Sequence, residues 1–193
     1  MNENNARFPL FSQILHWVMA VMILSMLFIG VAMVSSLANY HWLISIHRPL
    51  GIAILGLALI RLANRIFNHP PALPDSISPA ERFVAAASEM LMYGLMLVLP
   101  LVGWAMLSAA RYPIVLFGSV QLPFILPQNL KWYALLHTTH TILAYLFMLT
   151  VLAHFTAVLF HTFVLRDGLL FRMLGGPRKS ATAREQEVDS ADM

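Results

Sequence analysis

Four apolar runs, each long enough to cross a lipid bilayer, decide most of what this chain can fold into. A hydrocarbon core of about 30 Å is crossed by about 20 helical residues, and in lipid only helices and closed barrels satisfy every backbone polar group. The first run extends from about Leu10 to Val34 without a charged residue, and Pro9 precedes it, where a helix starts comfortably. The second extends from about Leu43 to Phe67. It closes on Arg61, Arg65 and the breaker His69-Pro70-Pro71, and a polar loop with Pro74, Asp75, Ser76, Ser78 and Pro79 follows. The third extends from about Phe83 to Leu107, with Pro100 expected to bend it. The fourth, from about Leu130 to Leu165, is longer than a bilayer requires, so one end should project into water or tilt. These boundaries predict an all-α, integral membrane four-helix bundle over residues 10–175. Residues 1–9 form a short N-terminal segment, and the small polar tail 176–193 is expected to be disordered.

Composition excludes several alternatives. Only 11% of the 193 residues are charged and 59% are hydrophobic, whereas a soluble domain carries about a quarter charged residues. Cysteine is absent, which removes disulfides, iron–sulfur clusters and thiol nucleophiles, so any redox work needs a bound cofactor. No basic stripe interleaved with aromatics is present, so no nucleic-acid partner is expected. The first apolar run is too long for a signal peptide and lacks a small-residue cleavage site, so it is expected to be retained.

The basic residues orient the bundle. With four alternating helices, Arg7, Arg61, Arg65, Arg82, Arg166, Arg172, Arg178, Lys179 and Arg184 fall on one side, against Arg48, Arg111 and Lys131 on the other. The positive-inside rule then places both termini in the cytoplasm. The opposite face carries a short turn around Asn39 to Trp42 and a longer loop from Ala110 to Gln128 with Pro113, Pro123 and Pro127, read as a plausible lid.

Four of the eight histidines sit well inside the spans: His16 on the first helix, His47 on the second, His140 and His154 on the fourth. Ionisable groups at such depth mark function. His140 and His154 are 14 residues apart, which is about 21 Å along the axis and nearly the same face. His16 and His154 lie at comparable depths from one membrane face, His47 and His140 from the other. Two bis-histidine sites result. Neutral imidazole is a strong axial ligand for iron, and two of them leave a haem six-coordinate, suited to electron transfer. Each pair can hold one haem b. The plainer reading of any single membrane histidine is a hydrogen bond between helices; four at paired depths favour ligands.

Leu15-His16-Trp17, Ile46-His47-Arg48-Pro49-Leu50-Gly51, and His140 followed after thirteen residues by His154 resemble the bacterial cytochrome b561 family. The resemblance spans about residues 7–175. It includes Leu99-Pro100-Leu101-Val102-Gly103-Trp104 and the ending Arg166-Asp167-Gly168-Leu169-Leu170-Phe171-Arg172-Met173. It implies four helices in a bacterial inner membrane, two haem b groups, exchange of electrons with quinone near the cytoplasmic leaflet and, in some members, oxidation of superoxide outside.

Several residues keep two readings. His161, close to the His154 face and near the helix exit, is a second-choice ligand, with an interface or quinone role read ahead of it. His137 is read as a wet surface residue, and His41 and His69 as loop residues. Glu89 either takes part in quinone protonation or is a first-turn carboxylate complementing the helix dipole. Arg48, Arg111 and Lys131 either contact haem propionates and attract an anion or touch lipid headgroups; Arg61 and Arg65 either do the same for the inner haem or are explained by positive-inside topology alone.

No acidic residue offsets the three outer cations, which favours an anionic one-electron donor such as superoxide. A hydrophobic carrier reaching the inner haem from lipid fits ubiquinone. A cytochrome b subunit serving a partner dehydrogenase or a periplasmic protein is the nearest alternative. A histidine-using metal or proton transporter is more distant, since Glu89 is the only carboxylate within a span.

Overall fold

The computed structural model describes residues 8–68, 77–116, 118–166 and 168–174. Its long elements are α1 (Leu10–Ser35), α2 (Tyr40–Phe67), α3 (Pro79–Ala109) and α4 (Leu130–Phe160). α4 runs on as a π-helical turn over His161–Leu165, and a short α5 (Leu169–Leu174) follows. All four long helices are apolar and long enough to cross a membrane, so the protein is a multi-pass membrane protein. α1 packs on α2, α2 on α3, and α3 on α4. One end of the bundle, here the terminal end, gathers the start of α1, the end of α2, the start of α3 and the end of α4. The other is the hairpin end.

The exterior is as informative as the core. Phe28, Val34, Ile142 and Leu149 are all more exposed than buried, the arrangement expected where lipid, and not water, bathes the helices. The core is a thin seam of Leu15 and Met19 from α1, Ala58 from α2, Tyr93, Leu95, Met96 and Leu99 from α3, and Phe147 from α4. Ala58 is fully buried and Met19 1% exposed, so the small residue lets α1 approach α2 closely.

Several sequence expectations need correction. α2 begins at Tyr40, three residues earlier than Leu43, so His41 lies in its first turn and not in a loop. α3 begins at Pro79, where Ser78 and Glu81 form a reciprocal capping box. The first-turn carboxylate of α3 is therefore Glu81; Glu89 lies ten residues beyond Pro79 and forms an ion pair with Arg65. Regular α4 stops at Phe160, and the chain leaves the π turn through Arg166 in a left-handed conformation (φ 53°). Pro49 and Pro100 both lie inside continuous helices.

The lid segment is fastened down. Val115–Leu116 (β1) pairs antiparallel with Val120–Gln121 (β2) around Gly118, whose φ of 74° suits glycine. Trp104 Nε1 donates to the Pro123 carbonyl at 2.9 Å, and the Ile125 amide donates to Ser108 Oγ at 3.2 Å. The segment is a fixed cap on the end of α3. Asn129 then starts α4, its side chain accepting from the Lys131 and Trp132 amides at 2.9 and 3.1 Å. Arg7, His69 and the tail 176–193 lie outside the described residues.

Candidate functional site

At the terminal end, helical periodicity on α1 and α2 sets the contacts. Ser12, His16 and Met19 share one face of α1 at spacings of four and three, and Asn64, Arg61 and Ala58 share the opposing face of antiparallel α2. Asn64 Nδ2 donates to Ser12 Oγ at 2.8 Å, and Arg61 Nη2 donates to His16 Nδ1 at 2.9 Å. A guanidinium has no acceptor, so Nδ1 of His16 accepts in this contact. Arg61 Nε also donates to Tyr93 Oη at 3.1 Å, and the guanidinium carbons of Arg61 and Arg65 lie 5.7 and 5.6 Å from the centre of the Tyr93 ring. Arg65 pairs with Glu89. His154 of α4 lies half-buried at the same end.

At the hairpin end, the rings of His47 and His140 face one another with centroids 6.2 Å apart and planes at 70°. Gly103 of α3 makes room for this pair: a Cβ there would come within 3.3 Å of Cε1 and 3.5 Å of Nδ1 of His140. His47 Nδ1, His140 Nδ1 and Arg48 Nε are buried with no hydrogen-bond partner. Each such atom left unmade costs about 1–3 kcal/mol. A metal ion taking imidazole nitrogens, together with anionic acceptors for Arg48 and the ring N–H groups, would satisfy this set, so the residues present fit a bis-histidine-ligated haem.

Of the two pairs anticipated from depth, His47 and His140 face one another at the hairpin end, while His16 and His154, both half-buried, lie on α1 and α4 at the terminal end. Arg48 has its Nε buried in the hairpin-end site. Arg111 and Lys131 are exposed. Arg111 adopts φ 58° and its guanidinium lies 4.8 Å above the Phe124 ring of the cap. His137 is exposed and tilts against Tyr133. His161 meets Phe160 edge-on and is within electrostatic reach of Glu81.

Sequence reasoning missed Arg61 as the neighbour of His16, Tyr93 as the partner of Arg61, and Gly103 as the seat of His140. The available signal for Arg61 was its spacing: two arginines four apart in an apolar helix need a common partner, and Tyr93 is that partner.

Residues 7–176 match the family described as prokaryotic cytochrome b561. The chain is 28% identical over 172 residues to cytochrome b561 homolog 2 of Escherichia coli (strain K12), covering 88% of this chain and 92% of the relative. It is 32% identical over 144 residues to a protein of Yersinia pestis named probable superoxide oxidase CybB, covering 72% and 77%. With four membrane-crossing helices and a family match over residues 7–176, the chain belongs to the prokaryotic cytochrome b561 family, membrane proteins that transfer electrons on b-type haem.

Proposed function

We propose that this protein is a di-haem b cytochrome of a bacterial inner membrane that takes single electrons from superoxide at the hairpin end and reduces ubiquinone at the terminal end. His16 with His154, and His47 with His140, are the axial pairs. The observation that carries this reading is the facing of His47 and His140 with both Nδ1 atoms and Arg48 Nε buried and unpartnered. Bound haem supplies one-electron transfer without bond making.

The chain's own residues supply the rest. Arg48, Arg111 and Lys131 stand at the hairpin end with no acidic residue in the turn or the cap to offset them, so an anion is drawn there. The likeness to the Yersinia protein, by its name, supports superoxide as that anion. At the terminal end, Arg61 holds His16 through Nδ1. Ligation through Nε2 would put the proton on Nδ1, and Arg61 would then give up this hydrogen bond while its charge stays near the ring. The overall balance is two superoxide, one quinone and two protons giving two dioxygen and one quinol. Positive-inside topology supports a cytoplasmic terminal end, where those protons are available.

Stopped-flow mixing of the purified protein with superoxide, with and without ubiquinone, tests this. We expect haem bands to reduce within the mixing experiment and to reoxidise only when ubiquinone is present. A colourless protein, or one whose bands ignore superoxide, overturns the reading.

A further inference from the structure

Near the terminal end, a cleft of ≈ 440 Å³ opens on the lipid side of α1, walled by Leu10, Gln13, Ile14, Trp17 and Val18 and closed by Met173 of α5. That volume lies within the roughly 300–1,000 Å³ of small-molecule sites. Its wall is organised around Trp17. The indole Nε1 donates to the Met173 carbonyl at 3.1 Å, and the indole ring stands edge-on to the His16 ring with centroids 5.4 Å apart. One face of Trp17 therefore borders the cleft while its neighbour in sequence is a member of the terminal-end histidine pair. Gln13 gives one amide hydrogen to the Phe8 carbonyl at 2.7 Å, which leaves the other for a carbonyl-bearing visitor.

A second cavity borders the same Met173. It is lined by polar groups, Ser12, Arg61, Asn64 and Glu89 among them, and holds only ≈ 60 Å³. A water needs about 10–15 Å³ measured this way, so this space takes a few waters and not a substituted ring. Size thus separates the two: an apolar cleft for a flat ring and its tail, and beside it a wet, acid-bearing space.

We infer that the Trp17 cleft is the docking place of the quinone, with Trp17 the contact between the bound ring and His16, and the small cavity the source of water for its protonation. This rests on the quinone reading above and adds where the quinone binds. The bound quinone takes two electrons, delivered singly by two superoxide ions that leave as dioxygen, and two protons drawn from the bulk solvent at the terminal end through the small cavity, and departs as quinol.

The test uses the full, haem-loaded chain in lipid nanodiscs with decylubiquinone as the probe and an azido-substituted ubiquinone for photolabelling. In the wild type the label should fall within residues 10–18 or on Met173 and Leu174, and Ile14→Trp, which fills the cleft, should abolish that labelling. The same variant should weaken decylubiquinone binding by about tenfold or more while both haem bands persist. Trp17→Phe, which keeps a ring and loses the bond to Met173, should fall between. Val31→Trp adds the same bulk to lipid-exposed surface elsewhere on α1 and should bind as the wild type does. Labelling elsewhere, binding within twofold of wild type in Ile14→Trp, or an equal loss in Val31→Trp overturns the location and leaves the quinone reading standing. Failure of wild-type haem to be reoxidised by decylubiquinone removes the quinone reading and the location with it.

Discussion

Gly103 and His140 form the tightest residue-scale constraint at the hairpin end. Because a Cβ at position 103 would press on the imidazole at 3.3 Å, Gly103→Val should push His140 from its place and lower haem content toward one per chain, read from the haem-to-protein ratio. His140→Ala should do the same by removing the ligand, with the other haem intact, whereas exposed His137→Ala should keep two. Loss of a haem in the His137 variant would mean that the wrong member of that helix face has been assigned. At the other end, Arg61 places a positive charge beside His16. Arg61→Gln removes the charge and offers an amide oxygen to Nδ1–H, so haem should be retained with a midpoint potential lowered by tens of millivolts, the scale of one unit charge about 10 Å away at an effective dielectric constant of about 20. A redox titration reads it. The histidines were legible because ionisable groups inside apolar runs are rare. Arg61 was not, because a positive residue near a helix end is equally well explained by topology, and its partner Tyr93 lies 32 residues away on another helix.

At the scale of elements, the spans were legible nearly to their ends, since length and charge delimit them. What escaped was local chemistry at the boundaries. α2 gains its first turn because Tyr40, His41 and Trp42 continue the helix outward, and α3 gains its start from the capping box at Ser78 and Glu81. The cap between α3 and α4 was read from its prolines as a lid, yet Gly118-Ser119 between Val115-Leu116 and Val120-Gln121 is a hairpin signal. Its attachment to α3 runs through Ser108, 1% exposed, whose hydroxyl receives the Ile125 amide. Ser108→Ala leaves that amide unpaired and should destabilise the hairpin end by about 1–3 kcal/mol, seen as earlier loss of the haem band on heating.

At the scale of the whole molecule, depth arithmetic along single helices anticipated that His47 faces His140, because antiparallel helices of similar length register their ends. The lateral contacts, Ser12 with Asn64 and His16 with Arg61, depend on how each helix is rotated about its axis, which no single helix specifies. Asymmetry of charge between the ends carries the remaining prediction. Replacing Arg48 and Arg111 together with Gln should slow reduction by superoxide and flatten its dependence on ionic strength, since salt screens exposed charges beyond about 10 Å. An unchanged rate and salt profile with both haems present would remove steering while leaving the transmembrane path.

Under the proposed assignment α4 contributes a member to both histidine pairs, and among the described long helices it is the last to be made. Neither pair exists while only α1 to α3 are in the membrane. Chains interrupted before residue 140 have no complete site at either end, and those interrupted between 140 and 154 have one. Under that assignment haem capture waits for α4, and a chain stopped before residue 140 should bind none.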